Sequence, residues 1–216
     1  MTMQKTRRLI DDLADGLRPV PPRAVERRIG TALLSGMAIS AVLTALTLGI
    51  RPDLMTALQG SVFWMKSLYV GSLALLAGLA SVRMARPGTV PPRWLWLSLL
   101  PVVVIAALAG TEMMHTPREG WSALWLGKSW KVCPFLVLGL SIPIFVTLMR
   151  TLKKLAPTNL RATGALAGVT AGASAALVYC LHCPESTAGF LLVWYSGGIA
   201  LAGLIGASLG PRFLRW

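Results

Sequence analysis

The sequence between Arg28 and Arg51 reads IGTALLSGMAISAVLTALTLGI, residues 29–50, and contains no charged side chain. Such a run is long enough to cross the hydrocarbon core of a bilayer, which takes ~20 apolar residues. A helix is expected there, because no water is available to satisfy the backbone N–H and C=O groups. Five further apolar runs follow, at residues 61–82, 94–111, 132–149, 162–181 and 187–210. The sequence therefore predicts an all-α polytopic membrane protein with six transmembrane helices.

The composition and charge of the chain agree with this prediction. Its 216 residues are 55% hydrophobic and 13% charged, with a formal net charge of +13. A basic chain can bind nucleic acid, but here most Lys and Arg residues stand in short clusters between the apolar runs, where topology signals occur. Sixteen of them fall on one side of the predicted topology and five on the other. We therefore expect a membrane protein with both termini cytoplasmic, three outward hairpins and no direct contact with nucleic acid.

The predicted topology divides the chain into three parts. Residues 1–28 form a cytoplasmic head with an amphipathic helix and a proline-rich spacer, residues 29–211 form the six-helix transmembrane domain, and residues 212–216 form a cytoplasmic tail. The spacer, residues 18–23, is expected to be stiff and extended because of its prolines.

The head carries an apolar stripe at helical spacing, which predicts a short amphipathic helix. The stripe consists of Leu9, Ile10, Leu13 and Leu17. Thr6 is a candidate N-cap, and Gly16 is a candidate end. A helix of about three turns is not stable alone in water, so the stripe needs a surface to bind. Acidic residues on the polar face disfavour anionic lipid and favour a groove on a partner protein; a frayed tail without a function is the alternative.

Several features of the transmembrane domain predict local structure. Lys66, near the start of the second run, is expected to extend towards the membrane surface. Pro101 and Pro143 predict kinks in the third and fourth helices. The outer connection 112–131 predicts a short helix in the membrane interface, because indole rings favour that depth. Its apolar residues are Trp121, Leu124 and Trp125, followed by Trp130.

Small residues recur at four-residue spacing in the last two helices. They are Gly164, Gly168 and Gly172 in the fifth helix, and Gly198, Ala202, Gly206 and Gly210 in the sixth. Such seams allow close approach of helix backbones inside a membrane and predict a tight final hairpin. A general richness in glycine is the alternative explanation.

The three cysteines all fall near the outer surface in this topology. They are Cys133, Cys180 and Cys183, and His115, His182, Glu112 and Glu185 lie on the same side. That compartment is oxidising in a bacterium, so a disulfide there is stable. Cys133 with Cys183 is the preferred pair, because both are expected at water-accessible helix ends. Cys180 lies one turn deeper and is expected to be buried, while Cys133, Cys183 and His182 together are a candidate soft-metal site.

The segment Cys180-Leu181-His182-Cys183 has the C-x-x-C spacing of thiol oxidoreductases. A membrane thiol oxidoreductase that uses Cys180 and Cys183 with quinone is therefore the alternative function, although only one further cysteine remains. A transporter is disfavoured by the lack of charges in the middle of the helices. No phosphate-binding glycine loop or Ser/His/Asp set is found, so we expect neither an enzyme nor a cofactor.

Several short motifs follow one another in an order that is more specific than any one of them. They are Leu9-Ile10, Leu17-Arg18-Pro19-Val20, Arg51-Pro52-Asp53-Leu54, Arg86-Pro87-Gly88, Cys133, His182-Cys183-Pro184-Glu185, Trp194-Tyr195 and Arg215-Trp216. Together they cover nearly the whole chain, which resembles the NrsF-type six-helix membrane anti-sigma factors of proteobacteria.

The resemblance implies a partner and a stimulus. It implies that the head holds an extracytoplasmic-function sigma factor at the membrane. It also implies that a cysteine pair, here Cys133 and Cys183, takes part in sensing oxidant or heavy-metal stress. No catalytic activity is implied, and Cys180 is not part of the family motif.

Overall fold

A computed structural model describes residues 3–15, 21 and 23–215 of the chain. All regular secondary structure in these residues is helical. The α-helices are α1 Met3–Ala14, α2 Ala24–Leu43, α3 Leu54–Gln59, α4 Ser61–Met84, α5 Leu99–His115, α6 Trp121–Leu126, α7 Cys133–Lys153, α8 Leu160–Tyr179, α9 Ala188–Phe190 and α10 Ser196–Phe213. The π-helical segment Thr44–Leu48 continues α2, and a second, Leu191–Tyr195, joins α9 to α10. The 3-10 helices Arg93–Ser98 and Arg118–Gly120 lead into α5 and α6.

Six helical segments among the described residues are long and apolar enough to cross a membrane, which confirms the predicted number. They are Ala24–Leu48, Ser61–Met84, Arg93–His115, Cys133–Lys153, Leu160–Tyr179 and Ala188–Phe213. Residues 49–60, 116–132 and 180–187 connect them at one end of the bundle, which we call the thiol end because all three cysteines lie there. The side of the membrane that this end faces stays a prediction.

The head helix α1 projects its side chains into solvent. Every described side chain from Gln4 to Ala14 is exposed, including the apolar ones. Thr6 lies inside the helix, so its predicted role as N-cap is wrong: the helix begins three residues earlier, at Met3. Leu17, Gly16 and most of the predicted spacer lie outside the described residues.

The centre of the bundle is α8. Over its most apolar part, 78% of α8 is buried, against 11% of the third membrane-spanning segment. Small side chains make this burial possible, because they let neighbouring backbones approach closely. A Cβ atom on Gly164 would collide with the carbonyl of Gly206, and one on Gly168 would collide with the carbonyl of Ala202. The tight final hairpin is therefore confirmed.

The fourth membrane-spanning helix, α7, packs against both α10 and α2. Gly198 of α10 faces Val137 of α7, so it does not belong to the seam with α8 as predicted. The hydroxyl group of Ser40 in α2 donates to the carbonyl oxygen of Leu140 in α7 at 2.7 Å. The helix α7 thus connects the final hairpin to the first membrane-spanning helix, which continues towards the head.

The two prolines that predict kinks lie at different positions in their helices. Pro143 lies inside α7, where the Thr147 hydroxyl group donates to its carbonyl oxygen at 3.1 Å. Pro101 is the third residue of α5. It falls in the first turn of that α-helix, where the N–H groups have no partner within the α-helix, so the missing N–H does not require a kink. Kinks at Pro101 and Pro143 therefore stay predictions.

The seam between α8 and α10 makes a testable prediction about stability. Gly206→Ala should destabilise the protein by about 1–3 kcal/mol, because the new Cβ meets the Gly164 backbone, which cannot rotate away as a side chain can. Gly197→Ala in the same helix is the matched control, since a Cβ there meets nothing within 4 Å. Thermal unfolding of the two purified variants in detergent measures the difference. Equal melting temperatures would contradict the proposed backbone contact.

Candidate functional site

The turn after α8 wraps around the end of that helix. The amide groups of His182 and Cys183 both donate to the carbonyl oxygen of Tyr179, at 3.0 and 2.9 Å. Pro184 follows and prevents helical continuation, because it has no amide hydrogen. The short turn therefore places Cys183 back over the helix end instead of extending it away from the bundle.

All three cysteines are buried beneath this turn. Cys133 and Cys183 are 0% exposed and Cys180 is 1% exposed. The expected burial of Cys180 is confirmed, but the expectation that Cys133 and Cys183 lie at water-accessible ends is wrong. Side chains from distant parts of the chain cover both helix ends, and the sequence near the cysteines does not reveal them.

The side chains of Cys133 and Cys183 are neighbours in one buried cluster, close enough for the Cys133 thiol to lower the pKa of Cys183. Cys133 is the first residue of α7, and its amide group donates to the carbonyl oxygen of Ser129 at 2.9 Å. All three cysteines are free thiols. The structure therefore brings together the two cysteines that were predicted to pair, although they stand fifty positions apart in the sequence.

Two tyrosines close the space around the thiols. The rings of Tyr179 and Tyr195 lie 5.9 Å apart, and both side chains are almost completely buried. The hydroxyl group of Tyr195 is next to the sulfur atoms of Cys180 and Cys183 and has no hydrogen-bond partner among the described residues. The thiols therefore sit in an aromatic, weakly polar pocket.

Lys66 of α4 contacts the same turn after α8. Its ammonium group donates to the carbonyl oxygens of Cys183 at 2.6 Å and Glu185 at 3.2 Å, and the residue is 1% exposed. The side chain extends towards the connections at the thiol end, as expected, but its ammonium group is buried there and does not reach water. Two backbone carbonyls inside the protein offer the ammonium group hydrogen bonds that direct it inwards.

The turn is also held by the first connection, residues 49–60. The imidazole Nδ1 of His182 forms a hydrogen bond with the carbonyl oxygen of Gly49 at 2.9 Å. The amide group of Arg51 donates to the carbonyl oxygen of Leu181 at 3.1 Å. These contacts fix both backbone and side chain of the turn next to α2.

Glu185 connects the turn to the segment that precedes α7. One carboxylate oxygen accepts hydrogen bonds from the amide groups of Lys128 and Ser129, at 2.7 and 3.1 Å, and from the Ser129 hydroxyl at 3.2 Å. Gly127 allows this approach: its φ of 56° favours glycine, and a Cβ there would meet the carboxylate. Glu185 therefore couples the Cys183 turn to the segment just before Cys133.

The helix predicted in the outer connection is present as α6, and it packs onto the start of the last membrane-spanning segment. The hydroxyl group of Thr187 donates to the carbonyl oxygen of Leu124, and the indole of Trp194 donates to that of Trp125. Glu112 accepts a hydrogen bond from the amide group of Ala188 at 2.9 Å, which caps α9. These bonds hold α6 against the protein.

The candidate metal ligands are not brought together as a set. Among the residues that the structure describes, no three His, Cys, Asp or Glu side chains form a group that could hold a metal ion. The imidazole of His182 forms a hydrogen bond with the carbonyl oxygen of Gly49 and packs near the ring of Tyr179. The imidazole of His115 is exposed and forms a hydrogen bond with the carbonyl oxygen of Thr111. The predicted combination of Cys133, Cys183 and His182 is therefore not assembled.

The environment distinguishes the two cysteines of the turn. The neighbouring Cys133 thiol, as a hydrogen-bond donor, lowers the pKa of Cys183 below its ordinary value. The Tyr195 hydroxyl and the Lys66 ammonium group also lower this pKa, whereas burial raises it. Burial raises the pKa of Cys180 to about 11. Since the thiolate is the reactive form, Cys183 is the more nucleophilic of the two at neutral pH.

Comparison with known proteins identifies the family of this chain. The family model described as "NrsF: Negative regulator of sigma F" matches residues 13–216. The chain belongs to the NrsF family. Two NrsF relatives align with 98% of this chain over their full length: the probable anti-sigma-F factor NrsF of Azospira oryzae at 39% identity, and the anti-sigma-F factor NrsF of Caulobacter vibrioides at 38%. No solved structure matches the chain.

Membership of the NrsF family confirms the resemblance found in the sequence. The family is described as regulatory, and its description gives no support to the thiol oxidoreductase alternative. In addition, Cys183 has its thiol neighbour in Cys133, while Cys180 is buried with a raised pKa. Cys180 and Cys183 therefore have the C-x-x-C spacing but do not form a reactive pair.

The sequence did not predict the roles of two residues of the site. Lys66 is the most important, because its partners follow it by 117 and 119 positions. Glu112 was noted only as an outer acidic residue, yet it caps α9. The position of Lys66 inside an apolar run indicates a partner within the protein, since charged residues within membrane segments are seldom without one.

The role of Glu185 leads to a testable prediction. Glu185→Ala should make the amide hydrogens of Lys128 and Ser129 exchange about 10-fold to 100-fold faster, because hydrogen bonds to a charged acceptor contribute about 1.5–3 kcal/mol. Hydrogen exchange followed by mass spectrometry measures this. Glu119→Ala, an exposed residue in the same connection, is the matched control. Unchanged exchange at both amides would show that Glu185 does not hold this segment.

Proposed function

We propose that this protein is a membrane-anchored anti-sigma factor that holds an extracytoplasmic-function sigma factor at the inner membrane. The observation that carries the proposal is membership of a family described as negative regulators of sigma F, over nearly the whole chain. The cytoplasmic head binds the sigma factor, and the buried thiol pair at the opposite, outer end responds to oxidant. Both termini lie in the cytoplasm, as the distribution of basic residues indicates.

The apolar stripe of α1 supports the binding half of the proposal. Leu9, Ile10 and Leu13 are 59%, 58% and 66% exposed, although they stand at the spacing of one helix face. A helix of this length gains most of its stability from packing that face against another surface. Asp11 and Asp12 on the polar side disfavour an anionic membrane. A groove on the sigma factor therefore provides the missing surface.

The thiol pair supports the sensing half. Cys133 and Cys183 are neighbours, and a two-electron oxidant of the peroxide class can join them in a disulfide, with both thiol hydrogens leaving in water. The bond would tie the first residue of α7 to the turn after α8. A soft metal ion has no third ligand among the described residues, so oxidant is the stimulus that we propose.

The packing of α7 offers a route from the thiols to the head. Ser40 and Gly36 of α2 contact α7 at Leu140 and Ile144. A displacement of α7 on oxidation would be passed to α2, and α2 continues towards the head on its N-terminal side. A coupling of about 1–3 kcal/mol, typical of allosteric proteins, is enough to lower sigma-factor affinity about 5-fold to 150-fold.

The binding half predicts the effect of a charge on the apolar stripe. Leu13→Asp should weaken sigma-factor binding at least about tenfold, because it places a charge within the apolar contact. Co-purification of the sigma factor with the full-length protein from membranes measures this. Gln4→Asp adds the same charge on the opposite side of α1 and should retain binding. Equal retention by both variants would contradict the proposed binding face.

The sensing half predicts the effect of removing the thiols. Cys133→Ser combined with Cys183→Ser should abolish release of the sigma factor by hydrogen peroxide, because no disulfide can form between the two positions. Sigma-factor release from membranes before and after peroxide measures this. Cys180→Ser, which removes the other buried thiol, is the matched control and should release normally. Normal release by the double variant would leave the cysteines with a packing role only.

A further inference from the structure

Lys66 is the only charged residue that is buried within the described part of the chain. Its ammonium group has hydrogen bonds to two carbonyl oxygens, which satisfy donors but carry no net charge. Burying a charge is costly unless an opposite charge lies nearby. The position of Lys66 therefore calls for an anion.

The carboxylates near the thiol end are used elsewhere. Among the described residues Lys66 forms no ion pair, and the two ion pairs found are Arg51 with Asp53 and Arg86 with Glu26. Glu185 contributes its carbonyl oxygen to Lys66, but its carboxylate accepts from the amide groups of Lys128 and Ser129. Besides these carboxylates, the sulfur of Cys183 can carry a negative charge near Lys66, whose ammonium group lowers the pKa of that thiol.

We propose that Lys66 is the buried counter-ion of a Cys183 thiolate, and that it makes Cys183 the sulfur that attacks the oxidant. The proposal rests on the sensing role of the thiol pair. The 2.6 Å bond from Lys66 to the carbonyl oxygen of Cys183 holds the ammonium group beside the residue whose charge it balances. The Lys66 charge lowers the pKa of both Cys183 and Cys180, but at Cys180 burial outweighs it, so only Cys183 has a pKa below its ordinary value.

The chemistry starts with the thiolate. The sulfur of Cys183 attacks one oxygen of the peroxide, the O–O bond breaks, and the other oxygen leaves as water after taking up a proton. The resulting sulfenic acid is attacked by the sulfur of Cys133, which forms the S–S bond and releases a second water containing the Cys133 proton. The two sulfurs are oxidised by two electrons in total, and the peroxide is reduced to two water molecules.

Oxidation also changes the charge balance of the site. The disulfide is neutral, so Lys66 keeps its two carbonyl bonds but loses its counter-ion. A buried ammonium group without an anion destabilises the arrangement of the turn. Lys66 therefore favours the reduced conformation and promotes a change of conformation once Cys183 is oxidised.

The experiment measures the pH dependence of Cys183 alkylation by iodoacetamide in the full-length protein, followed by mass spectrometry. The charged and titratable groups facing Cys183 are Arg51, Lys66, Cys133, Tyr179, Cys180, His182, Glu185 and Tyr195. Lys66→Gln keeps an N–H donor but removes the charge, and it should move the midpoint upward by about half a pH unit or more. Lys66→Arg keeps the charge and should remain close to the wild type.

Exposed Lys131→Gln, at the same end of the protein, is the matched control and should leave the midpoint unchanged. A merely structural role for Lys66 would change the alkylation rate at every pH by the same factor, without moving the midpoint. An unmoved midpoint in Lys66→Gln would therefore overturn the proposal.

A second measurement needs no variant at Lys66. In the wild-type protein, Cys183 should titrate below the ordinary thiol value of about 8.5, and a midpoint at or above that value would also overturn the proposal. Neither measurement involves the sigma factor. If the midpoint is unmoved but peroxide still releases the sigma factor, only the proposed role of Lys66 is rejected. If the midpoint shifts but peroxide does not release the sigma factor, the sensing function is rejected.

Discussion

Direct contact between the backbones of α8 and α10 is the constraint on which the rest of this structure depends. Gly164 and Gly206 meet without side chains between them, and α8 is consequently buried in the centre of the bundle. Two helices held this closely cannot move independently, because protein interiors are densely packed. The turn at the thiol end follows the opposite end of α8 from Gly164, and contacts with other segments hold Cys183 there next to Cys133.

At the thiol end, polar contacts add to the packing of the helices. Lys66, His182 and Glu185 connect the turn to three other segments of the chain, two of them through carbonyl oxygens. Since the thiols are fully buried, the site admits a small oxidant more readily than a protein or a large reagent. Under the proposed sensing function, a disulfide formed there would act on α7, which contacts α2 through the bond from Ser40 to Leu140.

Much of the architecture was predictable because its causes are local in the sequence. Uncharged runs of about twenty residues identify the six helices, and four-residue spacing of small residues identifies the final hairpin. The errors concern residues whose partners are remote. Lys66 is predicted to extend towards the membrane surface, and it does reach the connection at the thiol end, but carbonyl oxygens 117 and 119 positions later keep its ammonium group buried. Gly198 has seam spacing, yet it faces α7.

The sequence by itself determined the number of membrane helices, the amphipathic character of the head and the family to which the chain belongs. Each depends on residue types and spacings within short segments or on their order along the chain. Only the tertiary structure decided that the cysteines are buried, that Cys133 lies beside Cys183, and that the Lys66 ammonium group binds the carbonyl oxygens of Cys183 and Glu185. Burial and charge balance are properties of neighbours in space, and here those neighbours come from α4, α7 and the turn after α8.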